Sequence, residues 1–292
     1  MNSCARAALA AVTGLPLEKC EAYNPPLGGG FGRRGGTQDY VRQAALIAKQ
    51  FPGTPVKLIW TREEDMTHDF YRPIGMCRLV AGVDAQGELV GLHLRVSGQS
   101  INAHSSPHNI INGKDRRQLQ GYWKEPGESQ LGYTIPHLRV EYAMRNTSIP
   151  VGTWRGVNVP QNAFYMECFI EEVARAAQQD SVAFRKSLMP TQTRQRAMLE
   201  LAAEKGDWGK PLPAGRHRGI AQFMSYGTYS AATAEVSVDR EGVVHVHRIV
   251  LALDCGYAVN PSQIEAQVQG SIVYGLSATL WGECSIQRGR VV

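Results

Sequence analysis

The sequence predicts an α+β fold of mixed, largely antiparallel sheets with packed helices, and three observations carry that reading. Alternating apolar and polar segments occur in pairs joined by short turns, Ala85-Gln86-Gly87 and Arg240-Glu241-Gly242, as hairpins require. Strand-like segments come in runs before helical ones instead of alternating with them singly, which argues against a doubly wound sheet. The 292 residues, 43% of them hydrophobic, suffice to bury a core in one large domain or two smaller ones.

Taken in order, Ser3 to Val12 reads as a helix stopped by Gly14 and Pro16, and a glycine-rich loop follows Pro25-Pro26. Gln38 to Gln50 carries Tyr40, Val41, Ala44, Ala45, Ile47 and Ala48 at helical spacing, and Pro52-Gly53 end it. Val56 to Trp60, Met76 to Asp84 and Glu88 to Ile101 read as strands. Ile101 to Ile135 is polar, with His104, His108, Asn109, Asn112, Gly113 and a Glu125-Pro126-Gly127 turn, so a long irregular excursion is expected there. Leu138 to Met144 is a further strand, Pro160 to Gln179 an amphipathic helix, and Ser181 to Met189 and Thr193 to Lys205 two more helical segments. Asp207 to Pro213 then breaks the chain, which suggests a first lobe over residues 1–206 and a second over 207–292. Gly219 to Met224, Ala232 to Asp239 and Val243 to Leu253 follow as strands. Asn260-Pro261 opens a helix through Leu280, and Ile286 to Val292 is strand-like.

Composition excludes several functions. The net charge of +5 comes from 31 basic against 26 acidic residues with no basic block, so neither nucleic acid nor a membrane surface is an expected partner. No apolar run approaches the roughly 18 residues that span a bilayer, and Met1 to Val12 lacks the pattern of a signal peptide. The six cysteines (Cys4, Cys20, Cys77, Cys168, Cys255, Cys284) contain no C-x-x-C pair, so metal-finger and thioredoxin-like readings fail, and they are expected to be reduced and mostly buried. His104 and His108 flank Pro107, and His245 and His247 share a strand face, so no metal site is assigned. Gly-x-Ser-x-Gly is absent, and no residue is assigned as catalytic.

Gly28 to Gly36 holds six glycines in nine positions, with Phe31 as its one large apolar side chain and Arg33-Arg34 beyond. Such a run marks a turn or a close backbone approach to a ligand, and the pieces suit an anionic, partly flat one. Gly30 to Gly35 formally matches the dinucleotide fingerprint G-x-G-x-x-G, which keeps a nucleotide-binding module open as an alternative. Pro25-Pro26, however, stands where that fingerprint needs a strand. A second candidate is Thr153 to Gln161, where Arg155 beside Gly156 can reach a phosphate, carboxylate or oxo group. A third is Asp254 to Pro261 with Gln263, Glu265, Gln267 and Gln269 after it, at a helix N-terminus capped by Asn260.

Together and in this order the three segments resemble the molybdopterin-binding large subunits of the xanthine dehydrogenase and aldehyde oxidase group. Gly28-Gly29-Gly30-Phe31-Gly32 is similar to that family's G-G-G-F-G loop, Arg155-Gly156 with Pro160-Gln161 to its R-G-x-x-x-P-Q segment, and Asp254-x-Gly256-x-x-x-Asn260-Pro261 with Gln267 to its D-x-G-x-x-x-N-P segment. Arg33-Arg34 and Val151 to Arg155 look closest to the branch of isoquinoline 1-oxidoreductase beta subunits and membrane-bound aldehyde dehydrogenases. The resemblance implies a cofactor-binding domain of that type, holding molybdenum-molybdopterin in its cytosine dinucleotide form. Gly29, Gly30, Phe31, Gly32, Arg155, Gln161 and Gln267 are the implied cofactor-binding residues. It also implies hydroxylation of a small N-heterocycle or aldehyde with water as oxygen source, a [2Fe-2S] subunit that takes the electrons, and a cytochrome c as acceptor in some relatives.

Two departures qualify that expectation. Gly35 stands where many members carry a substrate-holding glutamate, which disfavours purine-type substrates, and neither M-G-Q-G nor the G-x-G-E segment of the general base is present. The chain is therefore expected to be a central piece of a longer subunit, without molybdenum or hydroxylase activity by itself. A scaffold domain that keeps the fold without the chemistry is the non-catalytic alternative. The branch often works at or beyond the inner membrane, and compartment stays unassigned.

Overall fold

A computed structural model describes residues 2–35, 39–123 and 130–292. The chain forms two compact units that interleave in sequence. One comprises Met1–Gly75, Ser97–Asp115 and Met144–Val157, the other Met76–Val96, Arg116–Ala143 and Asn158–Val292. The boundary read at Asp207 falls inside the second unit.

The first unit carries α1 (Asn2–Thr13), α2 (Asp39–Ala48), α3 (Arg62–Thr67) and α4 (Ile101–Ser105). Helix α3 begins at a capping signal, since the Thr61 side chain accepts the N–H of Glu64. Among the described residues of this unit only Cys20, Ala45, Ile101 and Val151 are buried apolar groups. Polar contacts supply much of the rest. Buried Asp115 accepts from Ser100 Oγ at 2.5 Å and Asn102 Nδ2 at 3.0 Å, while the Ser100 N–H donates to Asn146 Oδ1 at 2.9 Å.

In the second unit, β1 (Gly75–Val83), β2 (Leu89–Gly98) and β3 (His137–Met144) form a three-stranded sheet in that order. The β1–β2 turn closes through Asp84, whose Oδ1 accepts from the N–H groups of Gln86 and Glu88. Leu92, Leu94 and Val96 are buried at every second position of β2, the period of a strand with one face inward. Helices α5 (Val159–Ala176), α6 (Ser181–Ser187) and α7 (Thr193–Lys205) follow. Helix α5 buries Met166, Ile170, Val173 and Ala174, an i, i+4, i+7, i+8 stripe.

A second sheet, β4 (Arg216–Ser225), β5 (Thr228–Val238) and β6 (Val244–Asp254), is antiparallel throughout. Tyr226-Gly227, at φ 50° and 77°, makes its first turn, as a two-residue hairpin loop demands. Helix α7 packs on this sheet, with Gly206 at its end. A Cβ there would lie 2.2 Å from Thr233 Oγ1. Asp207 and Trp208 are likewise pinned, by Arg248 and Asp180 respectively, so the predicted break is a tight corner. The apolar core joins both sheets and the helices through Leu94, Tyr133, Ile170, Phe184, Leu199 and Ile220. Beyond it lie α8 (Pro261–Leu280) and a small hairpin, β7 (Ile286–Gln287) with β8 (Arg290–Val291).

Three expectations need correction. Val56 to Trp60 alternates in exposure but pairs with no strand among the described residues, because pairing depends on a distant partner that local pattern does not reveal. Of the six free cysteines only Cys20 is buried and Cys77 half-buried; Cys4, Cys168, Cys255 and Cys284 are exposed. Cys168, for one, sits beside the inward stripe of α5 and not within it. The 101–135 excursion does contain α4 and two short 3-10 turns, Pro107–Asn109 and Arg116–Leu119. The Glu125-Pro126-Gly127 turn, Gly36 and Gln38 lie outside the described residues. Among those described, no helix is long and apolar enough to cross a membrane.

Candidate functional site

Two of the three motifs meet in the first unit. The loop Leu27 to Gly32 turns through Gly29 at φ 144°, Phe31 at φ 48° and Gly32 at φ 102°. A Cβ on Gly32 would stand 2.1 Å from the Thr153 carbonyl oxygen and 3.0 Å from Trp154 Cα. Those atoms are backbone and cannot give way, so glycine is required where the loop meets the Thr153-Trp154-Arg155 segment. The Phe31 ring folds back over Gly29, where a Cβ would meet its Cε2 at 2.7 Å, and the side chain remains 53% exposed. Around Gly28, by contrast, nothing lies within 4 Å of where a Cβ would stand.

The loop is anchored by Arg33. Its Nη2 is 2.8 Å from Asp39 Oδ2 on α2 and its Nε 2.6 Å from Asp69 Oδ1, while the guanidinium lies 5.3–5.7 Å from the ring centres of Phe70, Tyr40 and Trp60. Burial opposes the charge, but Asp39 and Asp69 outweigh it and raise the Arg33 pKa. The positive charge expected to face an anionic ligand is thus engaged by two carboxylates. Arg34 stacks on Tyr40 at 5.1 Å, and both arginines border a cleft of 730 Å³ lined also by Leu9, Ala45, Leu58 and Trp60. The segment ahead of the glycines pairs with no strand among the described residues, so the strand context of the dinucleotide fingerprint is missing there.

Arg155 is half-buried in a turn where the Val157 N–H donates to the Trp154 carbonyl at 2.7 Å. Val157 has φ 57°, the one β-branched residue with positive φ among the described residues. Such a conformation costs about 1–3 kcal/mol and persists only where the surroundings enforce it. Trp154 packs under Arg72, 4.4 Å from guanidinium to ring centre.

In the second unit the motif continues into α5, and a buried amide cluster surrounds its start. Asn162 Nδ2 donates to the carbonyls of Gln118 and Gln120 at 2.9 and 2.8 Å, and Asn158 Nδ2 to that of Arg117 at 3.0 Å. Gln161 Nε2 reaches Asn158 Oδ1 at 3.3 Å. Gln118, Gln120, Asn158 and Asn162 are all essentially inaccessible, and Gln118 Nε2 and Asn162 Oδ1 are left without partners. Of this cluster, sequence reasoning found only Gln161; the others are amides on a turn and a helix start, and no periodic pattern marks them.

The third motif lies where β6 ends. Asp254 accepts from Arg194 Nε and Nη2, both at 2.7 Å, and from the Gly256 N–H at 2.9 Å. The hydrogen bonds from Arg194, then that from Gly256, hold its carboxyl down at about 2. Gly256 has φ 80° with open space where a Cβ would stand. Asn260 caps α8 by accepting from the Gln263 N–H at 3.3 Å, as the sequence predicts. Gln267 is exposed on α8, and Glu265 pairs with Gln269 at 3.1 Å. Deeper in this unit, buried Glu167 accepts from Tyr133 Oη at 2.6 Å and Arg185 Nε at 3.0 Å. Burial raises its pKa against the pull of Arg185.

At Gly28 in the first unit, and separately at Gly256 in the second, open space stands where a Cβ would be. Comparison with known proteins identifies the family. A family model described as a molybdopterin cofactor-binding domain matches residues 1–189, and a second with the same description matches residues 160–292. Isoquinoline 1-oxidoreductase subunit beta of Brevundimonas diminuta is 29% identical over 96% of this chain and 36% of its own. Membrane-bound aldehyde dehydrogenase [pyrroloquinoline-quinone] of Gluconacetobacter polyoxogenes is 31% identical over 95% of this chain and 39% of its own. The chain thus spans well under half the length of either relative. Among solved structures, quinoline 2-oxidoreductase from Pseudomonas putida 86 shares the fold at a TM-score of 0.58 and 18% identity, over 84% of this chain and 35% of that one. The aldehyde oxidoreductase from Desulfovibrio gigas does so at 0.53, over 82% and 28%. These relatives are oxidoreductases, and this chain belongs to the molybdopterin cofactor-binding domain family.

Proposed function

We propose that the chain is the cofactor-cradling part of a molybdenum hydroxylase that oxidises N-heterocyclic aromatics or aldehydes. The observation that carries this reading is the 2.1 Å approach at Gly32, which locks the glycine loop onto the segment bearing Arg155. In this reading the backbone N–H groups of Gly29, Gly30 and Gly32 donate to the cofactor, fixed dipoles that need no reorganisation as charge develops. Phe31, held over Gly29 with half its surface exposed, walls the substrate pocket. Arg155 orients substrate or cofactor with its fork of donors. Gln161, steadied by Asn158, and Gln267 on α8 supply further polar contacts. When bound, the cofactor supplies the two-electron redox chemistry. Overall a C–H group and one water give a C–OH group, two electrons and two protons. No residue here is assigned as the general base.

The proposed cofactor is molybdenum-molybdopterin in the cytosine dinucleotide form. Electrons leave to a [2Fe-2S] subunit and, beyond it, to a cytochrome c; the isoquinoline 1-oxidoreductase relative is named as a beta subunit, which supports a multi-subunit enzyme. The name of the aldehyde dehydrogenase relative carries pyrroloquinoline quinone instead. Molybdopterin is preferred because both family models name it. Residues 1–292 alone are proposed to hold no molybdenum and to lack activity.

The test is expression of the enzyme with its partner subunits in a cofactor-producing host, followed by metal and pterin analysis and turnover of isoquinoline and aldehydes in ¹⁸O-water. Molybdenum near one per large subunit and label in the product support the reading. Quinone in place of pterin, or oxygen drawn from dioxygen, would overturn it.

A further inference from the structure

We propose that Arg194 is a positioning residue, which grips Asp254 and thereby holds the Cys255–Val259 turn in the shape that the cofactor meets. The inference rests on the molybdopterin reading above. It starts from the turn itself. Tyr257 and Val259 are 90% and 85% exposed, so no apolar contact of theirs fixes the turn. A segment of this kind, with its φ 80° glycine, would ordinarily be mobile.

Both its ends are nevertheless tied. At one end Asn260 caps α8. At the other the Asp254 carboxylate is fully used, with both oxygens on the Arg194 fork and Oδ1 also on the Gly256 N–H. Arg194 is in turn immobilised, because its guanidinium stacks 4.3 Å from the centre of the Tyr229 ring on β5. The bidentate geometry makes this a fixed joint where a lysine would make a loose one. Asp254, the acidic residue that heads the motif, is therefore an anchor and not a ligand. What the clamp fixes is bare backbone and two exposed apolar side chains, a preorganised surface whose ordering cost is met before anything binds.

Tyr257 provides the probe. In the full chain, with and without bound cofactor, chymotryptic cleavage after Tyr257 is followed by mass spectrometry for wild type, Arg194→Ala, Arg194→Lys and Asp254→Asn. Melting temperature and pterin content of the purified holoenzyme are measured alongside. Arg194→Ala is expected to speed cleavage after Tyr257 roughly fivefold, the upper range for a well-formed exposed ion pair, with other cleavage sites unchanged and the melting temperature lowered only slightly. Pterin retention falls in parallel, and Arg194→Lys is intermediate in both. Equal cleavage of wild type and Arg194→Ala would overturn the clamp, and Asp254→Asn must agree with whichever result is found. Faster cleavage with undiminished pterin content overturns the positioning role and leaves a structural ion pair. If wild type retains no pterin while Arg194→Ala still frees Tyr257, the clamp is supported and it is the molybdopterin reading that fails.

Discussion

The two units are held together in different ways. The second buries a continuous apolar cluster from Leu89 to Ala252, with Phe184, Leu94, Ile170 and Leu199 wholly inaccessible. The first buries only four apolar residues among those described, yet it holds the glycine loop and the Arg155 turn, with Phe31 and Val157 at positive φ. Hydrophobic burial of about 1.5–3 kcal/mol per large side chain secures one unit, while close backbone approaches and ion pairs secure the other.

The largest effect that would test this contrast is Phe184→Ala, which should lower the unfolding free energy by about 3–5 kcal/mol in chemical denaturation. A loss below 1 kcal/mol would mean that the second unit does not depend on its core. In the first unit Gly32→Ala should cost about 2 kcal/mol or more, from positive-φ strain plus collision with the Thr153 carbonyl, and in the holoenzyme it should release pterin. Asn162→Ala strands the carbonyls of Gln118 and Gln120 and should cost about 1–3 kcal/mol. Val157→Gly runs the other way: it should raise stability by about 1 kcal/mol, and a destabilisation would show that its side-chain packing outweighs its backbone strain.

The smallest effect is a pH dependence. The Asp254 carboxyl lies at about 2 in the folded chain against an ordinary 3.8. A lowered acid pKa contributes stability that is present above 3.8 and lost as pH falls through about 2. A carbon-13 NMR titration should find the Asp254 midpoint near 2, moving toward 3.8 in Arg194→Ala.

Legibility in the sequence followed locality. Helix α7 and the α8 start were readable because their signals lie within one segment, at Thr193 to Lys205 and at Asn260-Pro261. So was the three-motif constellation, as residue types. Helix α3 was missed although Thr61 and Glu64 carry its capping signal. Val56 to Trp60 has strand composition, but a ladder requires a partner that no local pattern names. Arg194 and Asp254 lie 60 positions apart, and nothing in their spacing announces a bidentate pair. Arg33 is engaged by Asp39, close to it in sequence, and by Asp69, a remote partner that no local pattern names.

Helix α8 has a practical consequence for handling the protein. Among its described residues none is buried, and Val273 and the adjoining Trp281 stand 68% and 74% exposed. With a sequence pI near 8.9, charge repulsion between copies vanishes in mildly alkaline buffer. Self-association through this helix should then set in, so the polypeptide is best purified near neutrality, at low salt and in dilute solution.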